Sequence, residues 1–413
     1  MTITDKTHCY STHYQRNYVE RQQSRRCRIA LYSHDTMGLG HMRRNLLVAQ
    51  ALSESEINPT ILLIAGTREL QANTLPPGVD YVILPSYRKD VEGNYSARRL
   101  DVSTYELTKL REQTIRSALD SFRPDVFIVD NVALGALNEL ESTLSELNQR
   151  DHTRCILGLR DIQDDTEVAQ SQYKQAEQAM KEYYDAIWIY GDPNVHDLAA
   201  ECGYLPEIRN KTHYIGYLNQ AKRNVGISHV NAKDELAGLG LPPGPLVLCL
   251  LGGGQDGADL AQAFVKAEIP AGYNAILVTG PHMPAEVQHL VRQMAADKKH
   301  LRVLEFVPES TLLIEQADRI ITMGGYNSVC EVLSFNKPAL IAPRIYPRKE
   351  QLRRAQRLKD MGLIDILLPD QISPEAISNW IMREDVQPPN VNGKINFSGI
   401  NFLQDFIKTI ARS

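Results

Sequence analysis

The strongest constraint on this chain is a rhythm. From Arg28 onward, short and nearly all-apolar runs alternate with longer amphipathic stretches. Seven runs come first: Ile29–Ser33, Ile61–Ala65, Tyr81–Leu84, Val126–Asp130, Cys155–Leu159, Ile187–Tyr190 and His213–Gly216. Six follow: Leu246–Leu251, Ala275–Thr279, Leu301–Phe306, Arg319–Met323, Ala339–Pro343 and Ile364–Leu367. Runs that are apolar at almost every position suit strands buried on both faces, as in a parallel sheet. The stretches between them carry helical spacing, as in Leu46, Leu47, Ala49, Ala51 and Leu52. Strands and helices in strict alternation imply an α/β fold with right-handed crossovers. The expected architecture is two doubly wound, Rossmann-like domains with a cleft between them.

The division follows from punctuation. Residues 217–245 are polar at first and end in Gly238-Leu239-Gly240-Leu241-Pro242-Pro243-Gly244-Pro245, which reads as a linker. The expected layout is an N-terminal extension over 1–24, a first domain over 25–220, a linker over 221–245 and a second domain over 246–386. Residues 387–413 then form a polar linker and a last helix, in which Leu403, Phe406, Ile407 and Ile410 share a face that can cross back over both domains.

Composition removes several function classes. Lys and Arg number 45 against 50 Asp and Glu, a net charge of −5, which gives no global case for nucleic acid. None of the six Cys stands in a CxxC pair, which excludes a disulfide scaffold and a clustered-thiolate zinc site. No apolar run approaches the ~18 residues of a membrane span. Residues 1–28 carry Arg16, Arg21, Arg25, Arg26 and Arg28, with Tyr10, Tyr14 and Tyr18 every four residues, and lack the apolar core of a secretory signal. The expected compartment is the cytoplasm. The extension reads as a docked tail or as a tab for anionic lipid or a partner.

Chemistry is expected in the loops at strand ends. Thr322-Met323-Gly324-Gly325-Tyr326-Asn327-Ser328 joins a strand to a helix. Glycines permit close backbone approach, and the free N–H groups of a helix's first turn attract a phosphate. Asn327 and Ser328 can cap that helix or add donors, and Glu331 can accept from two ribose hydroxyls. Together they describe a nucleotide-diphosphate site. Gly252, Gly253 and Gly254, with a helix starting near Gly257, form a second such loop. The third is Ser33-His34-Asp35-Thr36-Met37-Gly38-Leu39-Gly40-His41, where Gly38 and Gly40 make an anion-sized turn. His41 at the helix start is suited to take a proton near neutral pH, and His34 or Asp35 can do either job. Asp130 and Asn131 end one strand, and Arg160 and Asp161 end another. Asp130 is a second candidate base; Arg160 and Asp161 are acceptor-side candidates. Glu350 and Gln351 can bind sugar hydroxyls, whereas Arg353, Arg354 and Arg357 read as a solvated face. Asp161, Asp164 and Asp165 lack partners at a ligand spacing, so no metal site is read.

These segments resemble the GT-B glycosyltransferases of family 28. The likeness is clearest in Glu305-Phe306-Val307, Ala317-Asp318, Gly324-Gly325, Glu331, Lys337-Pro338-Ala339 and Glu350-Gln351, and weaker in Gly38-Leu39-Gly40-His41. Ser33–Arg44 and Met323–Phe335 are also similar to segments of a bacterial branch of predicted glycosyltransferases. The resemblance implies a UDP-sugar as substrate, with no further cofactor. It implies that the backbone at Val307 reads the base, Gly324 and Gly325 face the diphosphate, Glu331 holds the ribose, and Glu350 or Gln351 touches the sugar. His41 then lies near the reaction centre. Gly254 stands where the family commonly has Ser, and Glu350 stands where it has Gln.

The expected function is an inverting, metal-independent transfer of a sugar to a hydroxyl acceptor, lipid-linked or glycan, with His41 or Asp130 as base and peripheral contact with the inner membrane face. Two alternatives stand beside it. One is a nucleotide-sugar epimerase or hydrolase on the same fold; the other is a non-catalytic nucleotide-sugar-binding subunit.

Overall fold

The computed structural model of the chain describes residues 26–34, 40–68, 75–89, 94–150, 152–163, 169–224, 238–307, 309–346 and 348–410. The N-terminal extension, Asp35, Gly38, Asp164, Asp165 and most of the central linker lie outside the described residues.

Every all-apolar run becomes a strand. The first half holds β1 (Arg28–Ser33), β2 (Thr60–Ala65), β3 (Val79–Ile83), a hairpin of β4 (Tyr87–Lys89) and β5 (Tyr95–Ala97), β6 (Val126–Asp130), β7 (Arg154–Arg160), β8 (Ala186–Tyr190) and β9 (Thr212–Tyr214). The second half holds β10 (Leu246–Leu250), β11 (Asn274–Val278), β12 (Leu301–Leu304), β13 (Arg319–Thr322), β14 (Ala339–Ile341) and β15 (Asp365–Ile366). Among the described residues, all pairings apart from the antiparallel hairpin are parallel. The sheet orders are β3-β2-β1-β6-β7-β8-β9 and β12-β11-β10-β13-β14-β15. Both orders reverse beside the first strand of the sheet. Such a reversal opens a crevice at the carboxyl ends of the two flanking strands. In the first sheet those strands are β1 and β6, in the second β10 and β13.

Six helices carry the loops and join the halves: α1 (Gly40–Ser53), α2 (Thr104–Phe122), α3 (Ala258–Lys266), α4 (Tyr326–Ser334), α5 (Glu350–Asp360) and α6 (Gly399–Ile410). α1 starts directly after the β1 loop and buries Met42, Leu47, Val48, Ala51 and Leu52. α6 follows the second half yet packs on the first. Its Phe406 ring meets Trp188 edge-on at 5.3 Å, and Gln404 Nε2 donates to the Ala51 carbonyl at 2.6 Å. Leu403 and Ile407 of α6 join one apolar cluster with residues of both halves, such as Leu31, Leu248 and Ile341. Gly399 opens α6 because a Cβ there would stand 2.9 Å from the carbonyl oxygens of Gly216 and Tyr217. Among the described residues no helix is long and apolar enough to cross a membrane.

The structure adds one element that periodicity does not reveal. Three-residue strands are too short to show alternation, so the β4–β5 hairpin is invisible in the pattern. Beneath it lies a buried ionic cluster. Arg111 of α2 grips Glu139 through Nε and Nη2, both at 2.6 Å, and Tyr32 and Tyr87 donate to the same carboxylate at 2.5 and 3.2 Å. The Arg111 guanidinium also lies over the Tyr87 ring at 4.5 Å. Glu139 ends the loop that leaves β6, a loop in which Leu137 and Asn138 take positive φ of 51° and 62°.

Removing one member of a buried pair leaves an uncompensated charge. Arg111→Leu is therefore expected to cost about 3–5 kcal/mol in chemical denaturation. Arg111→Met combined with Glu139→Met, which removes both charges, should recover part of that loss.

Candidate active site

The crevice of the first sheet places His41 and Asp130 together. His41 is in the first turn of α1, and Asp130 is the last residue of β6. His41 Nδ1 lies 2.5 Å from Asp130 Oδ2. Arg44, three residues further along α1, donates through Nε to Asp130 Oδ1 at 2.9 Å, and its Nη2 touches the same oxygen. Arg44 Nη2 also stands 3.1 Å from His41 Nδ1. That nitrogen cannot accept from the guanidinium while donating to the carboxylate, and the shorter, charge-assisted contact decides the tautomer. Nδ1 carries the proton, which leaves the Nε2 lone pair of neutral His41 for a substrate. The His41 side chain is 18% exposed; Asp130 is 1% exposed.

Electrostatics agrees with that geometry. Burial pulls the His41 pKa down and Asp130 pulls it back up, with a net value below the ordinary one. Burial pushes the Asp130 pKa up, but Arg44 and His41 more than offset this and bring it to about 2. Asp130 is an anion that orients and supports His41.

The second wall comes from the other half. α4 starts after Gly324, whose φ is +81°, and Gly325, which has no side-chain cap. A Cβ built on Gly325 meets nothing within 4 Å, so the space above the helix start is open. Its first N–H groups face that space with the positive end of the helix dipole. Asn327 Nδ2 donates to the Gly40 carbonyl at 2.7 Å, which brings the starts of α1 and α4 against each other. The Tyr326 ring is buried between two guanidiniums, Arg44 at 5.5 Å and Arg354 at 5.7 Å, and stacks on Tyr217 at 6.0 Å. What Tyr326 offers at the helix start is its backbone N–H.

The two halves are joined below the crevice. Arg354 of α5 donates to Asp161 through Nε at 2.9 Å and Nη2 at 2.7 Å, Tyr217 Oη donates to Asp161 at 2.9 Å, and Arg354 Nη1 reaches the Gly324 carbonyl at 3.3 Å. Arg353 pairs with Glu201 beside it.

Several expectations are corrected here. Asp161 is not an acceptor-side group: it is fully buried and its oxygens are taken by Arg354 and Tyr217. Asp130 is not placed to touch a substrate, because Arg44 and His41 occupy it. Asn327 does not cap α4; Gly325 does, and Asn327 bonds across the crevice. Arg353 and Arg354 are not a solvated face, though Arg357 is exposed. Gly254 is glycine for packing, since a Cβ would stand 2.1 Å from the Thr279 carbonyl oxygen.

The remaining candidates are spread over loops and helix starts of both halves. Gly252 and Gly253 precede α3, whose cap is Gly257. Val307 is buried in the loop after β12, and Glu331 is buried in α4. Ser328 lies in the first turn of α4, and Glu350 and Gln351 open α5. Arg160 ends β7 and donates to Asn131 Oδ1 at 3.1 Å, and its charge acts on both His41 and Glu350. The residue that sequence reading missed is Arg44. Its spacing from His41, three positions along one helix, was the available signal.

The His41 imidazole is expected to titrate below its ordinary value in a folded-state NMR titration. Asp130→Asn should move that midpoint further down, because it removes the group that holds it up. Both native pKa values lie below their unfolded counterparts. Their contribution to stability is therefore full at neutral pH and declines in acid, for His41 from about 6.5 downward.

Residues 247–410 match the model of the glycosyltransferase family 28 C-terminal domain. The chain is 22% identical over 343 residues to a UDP-N-acetylglucosamine–N-acetylmuramyl-(pentapeptide) pyrophosphoryl-undecaprenol N-acetylglucosamine transferase of Leuconostoc citreum, covering 78% of this chain and 80% of that one. It is 24% identical to an uncharacterized glycosyltransferase of Methanosarcina acetivorans, covering 84% and 88%. Among solved structures, the glycotransferase of kitacinnamycin superposes with a TM-score of 0.60 over 94% of this chain and all of that one, at 15% identity. The domain match, the named relatives and the shared two-sheet fold mark the chain as a glycosyltransferase of GT-B fold whose second half is similar to the family-28 C-terminal domain.

Proposed function

We propose that the enzyme transfers a sugar from a UDP-sugar to a hydroxyl acceptor with inversion, and that no metal takes part. The observation that carries this reading is the apposition of two helix starts, α1 bearing His41 and α4 bearing the open Gly325 turn, joined by the Asn327–Gly40 bond. The diphosphate sits on the N–H groups of Tyr326, Asn327 and Ser328. The Val307 backbone reads the base, Glu331 the ribose, and Glu350 with Gln351 the sugar. Gly252 and Gly253 leave room beside it. The acceptor enters from the first half, past Gly40 and Arg160.

In the transfer, His41 Nε2 takes the acceptor's hydroxyl proton. The acceptor oxygen bonds to the anomeric carbon as the bond from that carbon to the diphosphate oxygen breaks. UDP leaves on the opposite face, so the configuration inverts. Charge developing on the leaving diphosphate meets preorganised amides and a helix dipole, the kind of stabilisation that dominates many enzymes. Asp130 stabilises the imidazolium that forms. The name of the Leuconostoc relative includes a lipid-linked acceptor, which supports a lipid-linked or glycan hydroxyl here and work at the cytoplasmic membrane surface.

The test is calorimetric binding of UDP and UDP-sugars in the presence of a chelator, followed by product analysis with cell extract as acceptor source. His41→Ala should lower kcat by about 10²–10⁴-fold and leave UDP affinity unchanged. Gly325→Val should lower the melting temperature by only a few degrees, because it weakens a helix cap but its side chain enters open space, and should weaken UDP binding by about tenfold or more. Wild-type protein that neither binds nor consumes any nucleotide sugar overturns the reading. So does an epimer or free sugar formed without acceptor.

A further inference from the structure

A buried carboxylate of the second half is left incomplete. Arg344, in the loop after β14, donates through Nη2 to Glu350 Oε1 at 2.6 Å and through Nη1 to Asp256 Oδ2 at 2.9 Å. Its backbone N–H donates to Gln351 Oε1 at 3.2 Å. Arg344 thereby straps the glycine loop before α3 to the first turn of α5. That turn packs against the α4 loop: a Cβ on Gly324 would lie 4.0 Å from the Gln351 carbonyl oxygen. Glu350 is 4% exposed, and its second oxygen, Oε2, is buried without a hydrogen-bond partner. Arg344 Nε is likewise buried and unpartnered. Burial raises the Glu350 pKa, but Arg344 more than offsets this and Arg160 adds to it, so the group is held as an anion.

A buried carboxylate with one oxygen satisfied demands a donor for the other. A sugar hydroxyl is such a donor, whereas a second carboxylate is not and is repelled at short range. Resting on the donor-site reading of the proposed function, we propose that Arg344 is a positioning residue for sugar specificity: it pins Glu350 with Oε2 unpaired, so that the subsite selects a neutral hexose offering a hydroxyl and rejects a uronate. Arg344 acts through Glu350 without touching the sugar. Asp256 holds the far side of the guanidinium and fixes the strap.

The experiment compares calorimetric affinities of the full chain for UDP, UDP-glucose, UDP-galactose and UDP-glucuronate between pH 6 and 8. At least one neutral hexose donor is expected to bind about tenfold or more tighter than UDP-glucuronate, the scale of one charge-assisted hydrogen bond. Glu350→Gln should erase most of that ratio and leave UDP affinity unchanged. Arg344→Met should make hexose affinity fall as the pH is lowered, because Glu350, then left with Arg354 and Arg160 as the cations acting on it among the described residues, becomes protonatable. Arg344→Lys should keep the wild-type pH profile. Those are readouts that a merely structural arginine would not move. Should Arg344→Met fail to fold, Arg344→Gln takes its place in the same pH series, and a wild-type pH profile in the folded variant overturns the role of Arg344.

Wild-type protein that binds UDP-glucuronate as tightly as the hexoses overturns the proposal, as does a Glu350→Gln variant with the wild-type ratio; in both cases UDP binding leaves the donor site standing. Failure of UDP itself to bind overturns the donor site and this proposal with it.

Discussion

The ion pair between Asp161 and Arg354 sets the relation of the two halves. Both residues are at most 1% exposed, and they lie 193 positions apart. Taking two charges out of water is costly, and apolar replacements often do as well for stability alone. Its effect here is geometric. A bidentate guanidinium fixes distance and direction together, and the same guanidinium reaches the Gly324 carbonyl. The position of the α4 loop is thereby tied to the end of β7. Arg44 repeats the arrangement from the other side, with its charge on Asp130 and its flat face toward Tyr326. One aromatic ring between two arginines links the group that orients His41 to the turn that faces it.

The two sheets reach the same solution with different chemistry. Each places its working loops beside a reversal of strand order, where the backbone parts without breaking hydrogen bonds. In the first sheet the loop delivers a titratable side chain, backed by a carboxylate that is itself neutralised by an arginine. In the second sheet the loops deliver backbone N–H groups and empty space. A side chain at Gly325 would fill that space, and one at Gly254 would collide with the neighbouring loop. These adjacent glycine loops therefore keep their glycines for different reasons, one for access and one for packing.

Legibility in the sequence divides along the same line. Ile29–Ser33 and Leu246–Leu251 read as strands because burial on both faces leaves an unbroken apolar run. Asp130 is legible because it ends such a run, and His41 because it follows the glycine loop that leaves one. α6 was legible as a helix that returns, because Leu403, Phe406, Ile407 and Ile410 form an apolar face with nothing nearby in sequence to cover it. The pairing of Asp161 with Arg354 was not legible. A basic run at helical spacing looks like a solvated face until the fold brings an acid against it. The Arg111–Glu139 cluster escaped for the same reason, and the β4–β5 hairpin above it was too short to show a period.

The return of α6 has a mechanical consequence. The main chain passes from one half to the other twice, once after Tyr217 and again on the way to Gly399. These passages run side by side, for the Tyr217 N–H donates to the Asn396 carbonyl at 2.8 Å, and the Asn396 N–H donates to Asp192 at 2.7 Å. A body held by one strand can swivel, but one held by two adjoining strands bonded to each other turns chiefly about the line they define. The bond between the two passages therefore adds a second tether to the Asp161–Arg354 pair, and the mutual position of His41 and Gly325 rests on both.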